Sequence, residues 1–484
     1  MGPRITLFTA IATLLLGCGG GDPEITLVSP ERVSARGGET LTLRGAGFAA
    51  GAAVTVGGEP ATGVQVISEG EIRCTTPLLF AGPATVTVDL PEGDRASRSG
   101  ALTVLPLDLR FTEAPAHSLS LDPTIPLAGA ALGDFDGDGD PDLVTGAAGA
   151  PCRFLENDGR GNFTDAPKGK KGPRFPASTP DTRVVLAADF DGDGALDLFL
   201  GLGSEGPGLV YRNDGTGTFT DTGPLTLIAD ADPATAAAAG DIDGDGRVDL
   251  VIANDAADEV PLRVHLNREK GSSISFTPAK STLIPPRDWA VSALALVDTD
   301  GDGALDLLLS TPGAADGVGL RLLLGGEDGF REAPERLPSS AGAPAAFAAG
   351  DVNGDGAVDL VLVGAGQDRL LLNDGSGHFF DATSSALPLD ASSGTGAALV
   401  DLDRDRDLDL LIGNLGGEAR LYLNDGSGRL LDHTPLLPLH ADATTFLAAS
   451  DVDGDADVDI LVLNASPDPA RLYLSVEPSP HEAP

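Results

Sequence analysis

Asp189, Asp191, Asp193 and Asp197 occupy positions 1, 3, 5 and 9 of DFDGDGALD, a stretch that runs directly into the apolar LFLGL. Carboxylates this close repel one another, so the free loop is unstable as a compact turn. A hard cation removes the difficulty. Ca²⁺ takes about six to eight oxygens, and a D-x-D-x-D-G loop presents them at alternate positions around one centre. Gly194, at position six, permits the sharp turn that lets the seventh residue offer its carbonyl. Position twelve, where a helix–loop–helix site carries Glu, is Leu200, and strand-like residues follow. The loop therefore joins two strands.

The elements that position it repeat. DFDGDGDPD begins at 134, DFDGDGALD at 189, DIDGDGRVD at 241, DTDGDGALD at 298, DVNGDGAVD at 351, DLDRDRDLD at 401 and DVDGDADVD at 451, a period of 50 to 57 residues. The candidate ligands are Asp134, Asp136, Asp138 and Asp142 in the first loop, and Asp189, Asp191, Asp193 and Asp197 in the second. Asp241, Asp243, Asp245 and Asp249 serve the third, and Asp298, Asp300, Asp302 and Asp306 the fourth. The fifth has Asp351, Asn353, Asp355 and Asp359, in which Asn353 keeps a side-chain oxygen. The sixth has Asp401, Asp403, Asp405 and Asp409, and the seventh Asp451, Asp453, Asp455 and Asp459. Arg406 and Ala456 stand where the sixth-position glycine is expected, and Arg404 adds a positive charge.

A second element follows most loops: FLENDGRGNFTD (154–165), VYRNDGTGTFTD (210–221), LLLNDGSGHFFD (370–381) and LYLNDGSGRLLD (421–432). Strand-like runs flanking N-D-G-x-G are a hairpin signal, because Asn, Asp and Gly tolerate positive φ. Each unit thus reads as four strands: A before the Asp loop, B after it, C ending at Asn-Asp-Gly, D beyond. Strand A is built of small residues (VVLAAD, AAAAGD, AFAAGD), which suits convergence on a central axis. Four-stranded units repeated seven times describe a seven-bladed β-propeller. The last copy lacks a strand D, whereas LRFTEAP (109–115) resembles GNFTDAP (161–167) and DGFREAP (328–334). Residues 109–114 are expected to close blade seven and hide the ring's edges.

The residues of 106–476 resemble the FG-GAP/VCBS repeat family, the calcium-loop propellers that include the integrin α head. That resemblance implies five to seven Ca²⁺ ions and a partner bound on the face away from the loops. Residues 24–105 lack Asp loops. SPERVSARGGETLTLRGAGF, VTVGG and IRCTTP resemble an IPT/TIG domain, an immunoglobulin-like β-sandwich. The expected fold is all-β throughout.

At the start, Arg4, the apolar run 5–16 and LLGC (15–18) resemble a bacterial lipoprotein leader. Residues 1–17 would be removed and Cys18 acylated, with 18–23 as tether and 477–484 as a flexible tail. This places the protein in the cell envelope, as an outer-membrane lipoprotein touching the membrane only through its anchor. Cys74 and Cys152 fall in different domains and are expected to be buried thiols. The net charge is −42, and thirty of the 73 acidic residues sit in the seven loops. Seven Ca²⁺ would still leave about −28, which excludes nucleic acid as a partner.

The chain carries no H-E-x-x-H, G-x-S-x-G or P-loop, and its six histidines share no spacing. The expected function is binding or adhesion toward an extracellular protein or glycan, not catalysis. A propeller hydrolase or lyase acting on polysaccharide and a structural envelope spacer are the alternatives. The A–B and C–D turns must share one face, leaving the longer, more variable B–C and D–A connections on the other. Lys168, Lys170, Lys171, Arg174, Arg287 and Trp289 lie in those connections and are expected to border the ligand site.

Overall fold

The computed structural model describes residues 23–106, 109–166, 181–203, 208–222, 233–255, 261–268, 274–280, 283–284, 289–326, 328–339 and 342–476. The lipoprotein leader, Cys18 and its tether up to residue 22, the C-terminal tail, Lys168, Lys170, Lys171, Arg174 and Arg287 lie outside them. The chain divides into two units, 1–107 and 108–484.

The first unit is a sandwich of two sheets. One orders Glu24–Ser29, Thr40–Ala46, Glu71–Thr75 and Thr62–Ser68, and the other Arg32–Ser34, Arg95–Leu105, Gly82–Asp89, Ala53–Val56 and Glu59–Pro60. Alternation of apolar and polar residues puts Leu41, Leu43, Ile72, Val86 and Val88 between the sheets, all fully buried. Cys74 joins this core as a free thiol, and burial pushes it up to about 11.

The second unit is a ring of seven antiparallel blades. Their inner strands are Leu127–Gly133, Thr182–Ala188, Ala234–Gly240, Ala293–Val297, Ala346–Gly350, Gly394–Val400 and Ala441–Ser450. Each contacts the next, and the seventh contacts the first. The small residues seen in the sequence are therefore those that crowd the axis. The strands that follow the Asp loops, such as Asp197–Leu202, Asp249–Asn254 and Asp459–Asn464, are buried at every position. Neighbouring blades cover both of their faces, which explains their continuous apolar runs.

The cores accordingly lie between blades. Phe154 and Val144 of blade one pack with Leu198, Tyr211 and Phe219 of blade two, where Phe135, Phe154 and Phe219 meet edge to face at 5.6 to 6.0 Å. Leu143, Leu155 and Phe163 of blade one pack in the same way on Val452, Leu461 and Leu463 of blade seven. Blades six and seven share one sheet, because Asp409–Glu418 runs on to pair with the start of Ala441–Ser450.

The outer strand of blade seven is Phe111–Glu113. It pairs antiparallel with Arg471–Ser475, Phe111 opposite Ser475 and Glu113 opposite Tyr473. Arg471 Nη1 donates to Glu113 Oε1 at 2.6 Å, and the His440 ring nitrogen lies 3.1 Å from Oε2. Among the described residues no helix is long and apolar enough to cross a membrane.

Candidate functional site

Each Asp loop is wound around its first carboxylate. At Asp189, Oδ1 accepts from the Gly192 and Asp193 N–H groups at 2.7 and 3.1 Å, and Oδ2 accepts from Gly194 at 2.9 Å. Asp298 takes Gly301 and Gly303 at 2.8 and 2.9 Å. This winding needs left-handed backbone at the fourth and sixth positions, met by Gly192 and Gly194 at φ +73° and +92°. The sixth loop winds the same way without glycine, and the seventh keeps one only at the fourth position, Gly454 at φ +77°. Arg404, Arg406 and Ala456 adopt φ of +61°, +79° and +71°. Arg406 and Ala456 still donate to Asp401 and Asp451 at 3.1 and 2.9 Å. The departures from the repeat pattern therefore leave the loop shape intact and add backbone strain of about 1–2 kcal/mol per residue.

The ninth aspartate has a different task. Asp197 is fully buried; its Oδ2 accepts from Phe190 N at 2.9 Å and its Oδ1 from Asn213 N at 2.8 Å. Asp142, Asp249, Asp306, Asp359, Asp409 and Asp459 repeat the arrangement, each tying the second residue of its own loop to the end of strand C. Burial lifts Asp142, Asp197 and Asp459 to about 7, Asp359 to about 6 and Asp409 to about 8, against backbone N–H bonds that pull the other way.

The donor set suits a hard divalent cation. One carboxylate oxygen from each of Asp134, Asp136 and Asp142 lies within 4.8 Å of the others, and so do those of Asp189, Asp191 and Asp197, of Asp241, Asp243 and Asp245, of Asp298, Asp300 and Asp302, and of Asp401, Asp403 and Asp409. Asp300 Oδ1 is buried and accepts no hydrogen bond, so its lone pairs are left unsatisfied without a cation. In the second and third loops arginines supply part of the compensating charge. Arg212 bonds Asp191 and reaches Asp193 at 2.8 Å; Arg268 reaches Asp243 at 2.7 Å, and Arg247 pairs with Asp245. In the fifth loop Asn353 turns its amide toward Asp355 at 2.9 Å and offers Oδ1 to the Asp355 N–H at 3.0 Å.

The hairpin asparagines are functional residues that the sequence reading treated only as turn formers. Asn213 is fully buried. Its Nδ2 donates to Phe135 O of blade one at 2.7 Å and to Leu196 O of its own blade at 3.0 Å. The signal that could have shown this is the Asn that recurs at the end of strand C even at Asn267, where no Asp-Gly turn follows to require it.

The FG-GAP-like repeat model matches residues 134–200, 189–252, 241–309, 351–412 and 401–462, together more than half the chain. The chain belongs to the FG-GAP-like repeat family. Ahead of the repeats, the IPT/TIG domain model matches 23–104. Cartilage acidic protein 1 of Homo sapiens is 29% identical over 167 residues, 32% of this chain and 24% of that protein. Its Xenopus tropicalis counterpart is 30% identical over 151 residues, 29% of this chain and 23% of that protein. The chain thus spans about a quarter of the length of the curated relatives it matches. Among solved structures, an Agrocybe aegerita protein described as recognising non-reducing terminal N-acetylglucosamine is similar with a TM-score of 0.44 and 17% identity, over 82% of this chain and 91% of its own. An auxiliary nutrient binding protein of Bacteroides thetaiotaomicron is similar with a TM-score of 0.37 and 11% identity, over 94% and 98%.

Away from the loops, the FG-GAP-like ring carries a cavity of about 740 Å³ where the inner strands of the first four blades begin. Ala128, Arg183, Thr235, Asn254, Asp255, Trp289 and Ser292 line it. Trp289 is 6% exposed, packed with Val251, Val264 and Leu323 between blades three and four. The Arg321 guanidinium lies 4.3 Å from its ring centre. The indole therefore borders the cavity as part of its wall and offers no open face for stacking.

Proposed function

We propose that this protein is a calcium-stabilised binding protein, anchored through Cys18 in a bacterial cell envelope, that recognises an extracellular protein or glycan on the face opposite its Asp loops. The observation that carries this reading is the division of labour between the two faces. Carboxylates converge at loop after loop on one face, where they border the seams between blades. On the other, a cavity of about 740 Å³ is walled by segments from the first four blades and offers Arg183 and Asp255 as exposed polar groups. A site assembled from several blades depends on the ring being rigid. Cations in the loops would supply that rigidity from a distance.

The test is a glycan and protein array probed with the purified calcium-loaded protein, followed by two variants. Arg183→Glu changes the cavity rim, and Thr216→Arg changes an exposed hairpin turn on the loop face. Loss of capture by Arg183→Glu alone is the expected result. Loss by Thr216→Arg alone, with folding intact, would move recognition to the calcium face. Capture that persists in both variants and in chelator would defeat the cavity assignment.

A further inference from the structure

The loops are not self-contained: five of the seven are tied by a side chain to the next blade around the ring. Five hairpin asparagines send Nδ2 across a seam to the carbonyl of the second loop residue of the blade before. Asn213 reaches Phe135 O, Asn267 reaches Phe190 O, Asn373 reaches Thr299 O and Asn424 reaches Val352 O, all at 2.7 Å, and Asn157 reaches Val452 O at 2.8 Å. The bond from blade one to blade seven spans 295 residues of chain and follows the same rule as the others. The asparagines are 0 to 6% exposed.

The carbonyl they hold is decisive in position. It belongs to the peptide between the second and third loop residues. The N–H of that same second residue is held by the ninth aspartate of its own blade, as Phe135 N is held by Asp142 at 3.2 Å. The residue that separates the first and third ligands is thus clamped at both ends, once from within the blade and once from outside it. In blade two a further bond accompanies the amide, from Gly217 N to Phe135 O at 2.9 Å. A Cβ on Gly217 would stand 3.1 Å from that of Asp136, so the turn seats directly against the third-position ligand.

Among the described residues two seams lack the asparagine, and at one of them Arg404 of the sixth loop instead donates to Ala456 O of blade seven. At the asparagine position blade four has Gly325 and blade seven has Ser475, placed by the same backbone bond to the ninth aspartate at 2.8 Å in each case. The loops they face are 241–249 and 401–409. We propose that the hairpin asparagines are positioning residues for the cation site of the preceding blade, and that the third and sixth loops, which lack one, take up their cation more weakly. This rests on the reading that the loops bind calcium. Groups that orient ligands from outside the coordination shell are commonly worth about tenfold or more in metal affinity, because they hold the ligands in place before the ion arrives.

Peptide-resolved hydrogen exchange on the full chain, titrated with calcium, tests it loop by loop. In Asn213→Ala the midpoint for protection of 134–142 should rise about tenfold, while 298–306 and 351–359 stay as in the unsubstituted protein. A merely structural asparagine would lower the melting temperature and leave that midpoint alone. Asn424→Ser, which keeps the backbone bond to Asp409, gives a gentler second reading at 351–359. In the unsubstituted protein 241–249 and 401–409 should need the most calcium. An unchanged midpoint at 134–142 in a folded Asn213→Ala protein, or a shift confined to its own loop 189–197, overturns the proposal. Absence of calcium-dependent protection at every loop of the unsubstituted protein would instead overturn the calcium reading itself.

Discussion

Within a single loop the aspartates share two tasks, offering oxygens toward a cation and fastening the backbone, and the ninth stands in both sets. Asp197 has both carboxylate oxygens engaged by buried backbone N–H groups, whereas Asp193 is partly exposed and paired with Arg212. Asp197→Ala should therefore cost about 2–4 kcal/mol even in chelator, since it leaves two buried donors unsatisfied. Asp193→Ala should cost little there and show its effect only as a smaller calcium-induced rise in melting temperature. Thermal melts of both variants with and without calcium check the difference; equal losses in chelator would contradict it. The strained residues give a prediction of opposite sign. Arg406→Gly or Ala456→Gly places glycine where φ is already +79° or +71°, and should stabilise the ring by about 0.5–1 kcal/mol. The alternate spacing of the aspartates was legible in the sequence because metal loops need it. That the ninth residue is a fastener was not, because spacing identifies a carboxylate without showing which N–H groups meet it.

The blade is the next level, and its legibility followed packing. Inner strands were readable from their small residues and second strands from their apolar runs, since both patterns record what covers each strand. The outer strands of blades three and four, Phe276–Pro278 and Arg331–Glu332, follow connections without N-D-G-x-G; the second was marked by DGFREAP, the first by no such likeness. Their sequences HLNREKGSSISF and LLLGGEDGF show that a blade can form without that turn once its second strand is buried. The strand that closes the ring was marked by the likeness of LRFTEAP to GNFTDAP. Phe111 is buried, Ala114 N donates to Leu472 O at 2.8 Å and Val476 N to Arg110 O at 2.9 Å. Deleting 107–116 removes these bonds together and exposes the edge of Arg471–Ser475. The expected result is aggregation or loss of a single cooperative melt, read by calorimetry and light scattering. By contrast Glu113→Gln, which weakens only the partly exposed pairs with Arg471 and His440, should cost at most about 1 kcal/mol.

Across the whole ring, the seven buried ninth-position aspartates and a net charge of −42 couple stability to both pH and cations. Burial raises the carboxyls of Asp142, Asp197 and Asp459 to about 7, Asp359 to about 6 and Asp409 to about 8, with Asp249 and Asp306 raised for the same reason. Their value in the unfolded chain is the ordinary one, about 3.9. A folded value above the unfolded one means that the native state binds protons the unfolded state has released. The resulting stabilisation is complete at low pH and is lost as pH rises through the folded values, here between about 6 and 8. In chelator the melting temperature should therefore climb as pH falls from 8 toward 5.5. Below that range exposed carboxylates such as Asp374 and Asp425, whose values are lowered by hydrogen bonds to Ser376 and Ser427, act in the opposite sense. With saturating calcium the loop charge is compensated by the ion, so the buried aspartates have no need of a proton and the slope between pH 8 and 5.5 should flatten. At pH 8 the gap between calcium and chelator should be widest, because charge repulsion in the metal-free loops is then unrelieved. Differential scanning calorimetry at four pH values in calcium and in chelator measures both slopes. Parallel curves would show that the buried carboxylates and the cation sites are not linked, and a melting temperature that falls in chelator as pH is lowered from 8 would reverse the sign argued here.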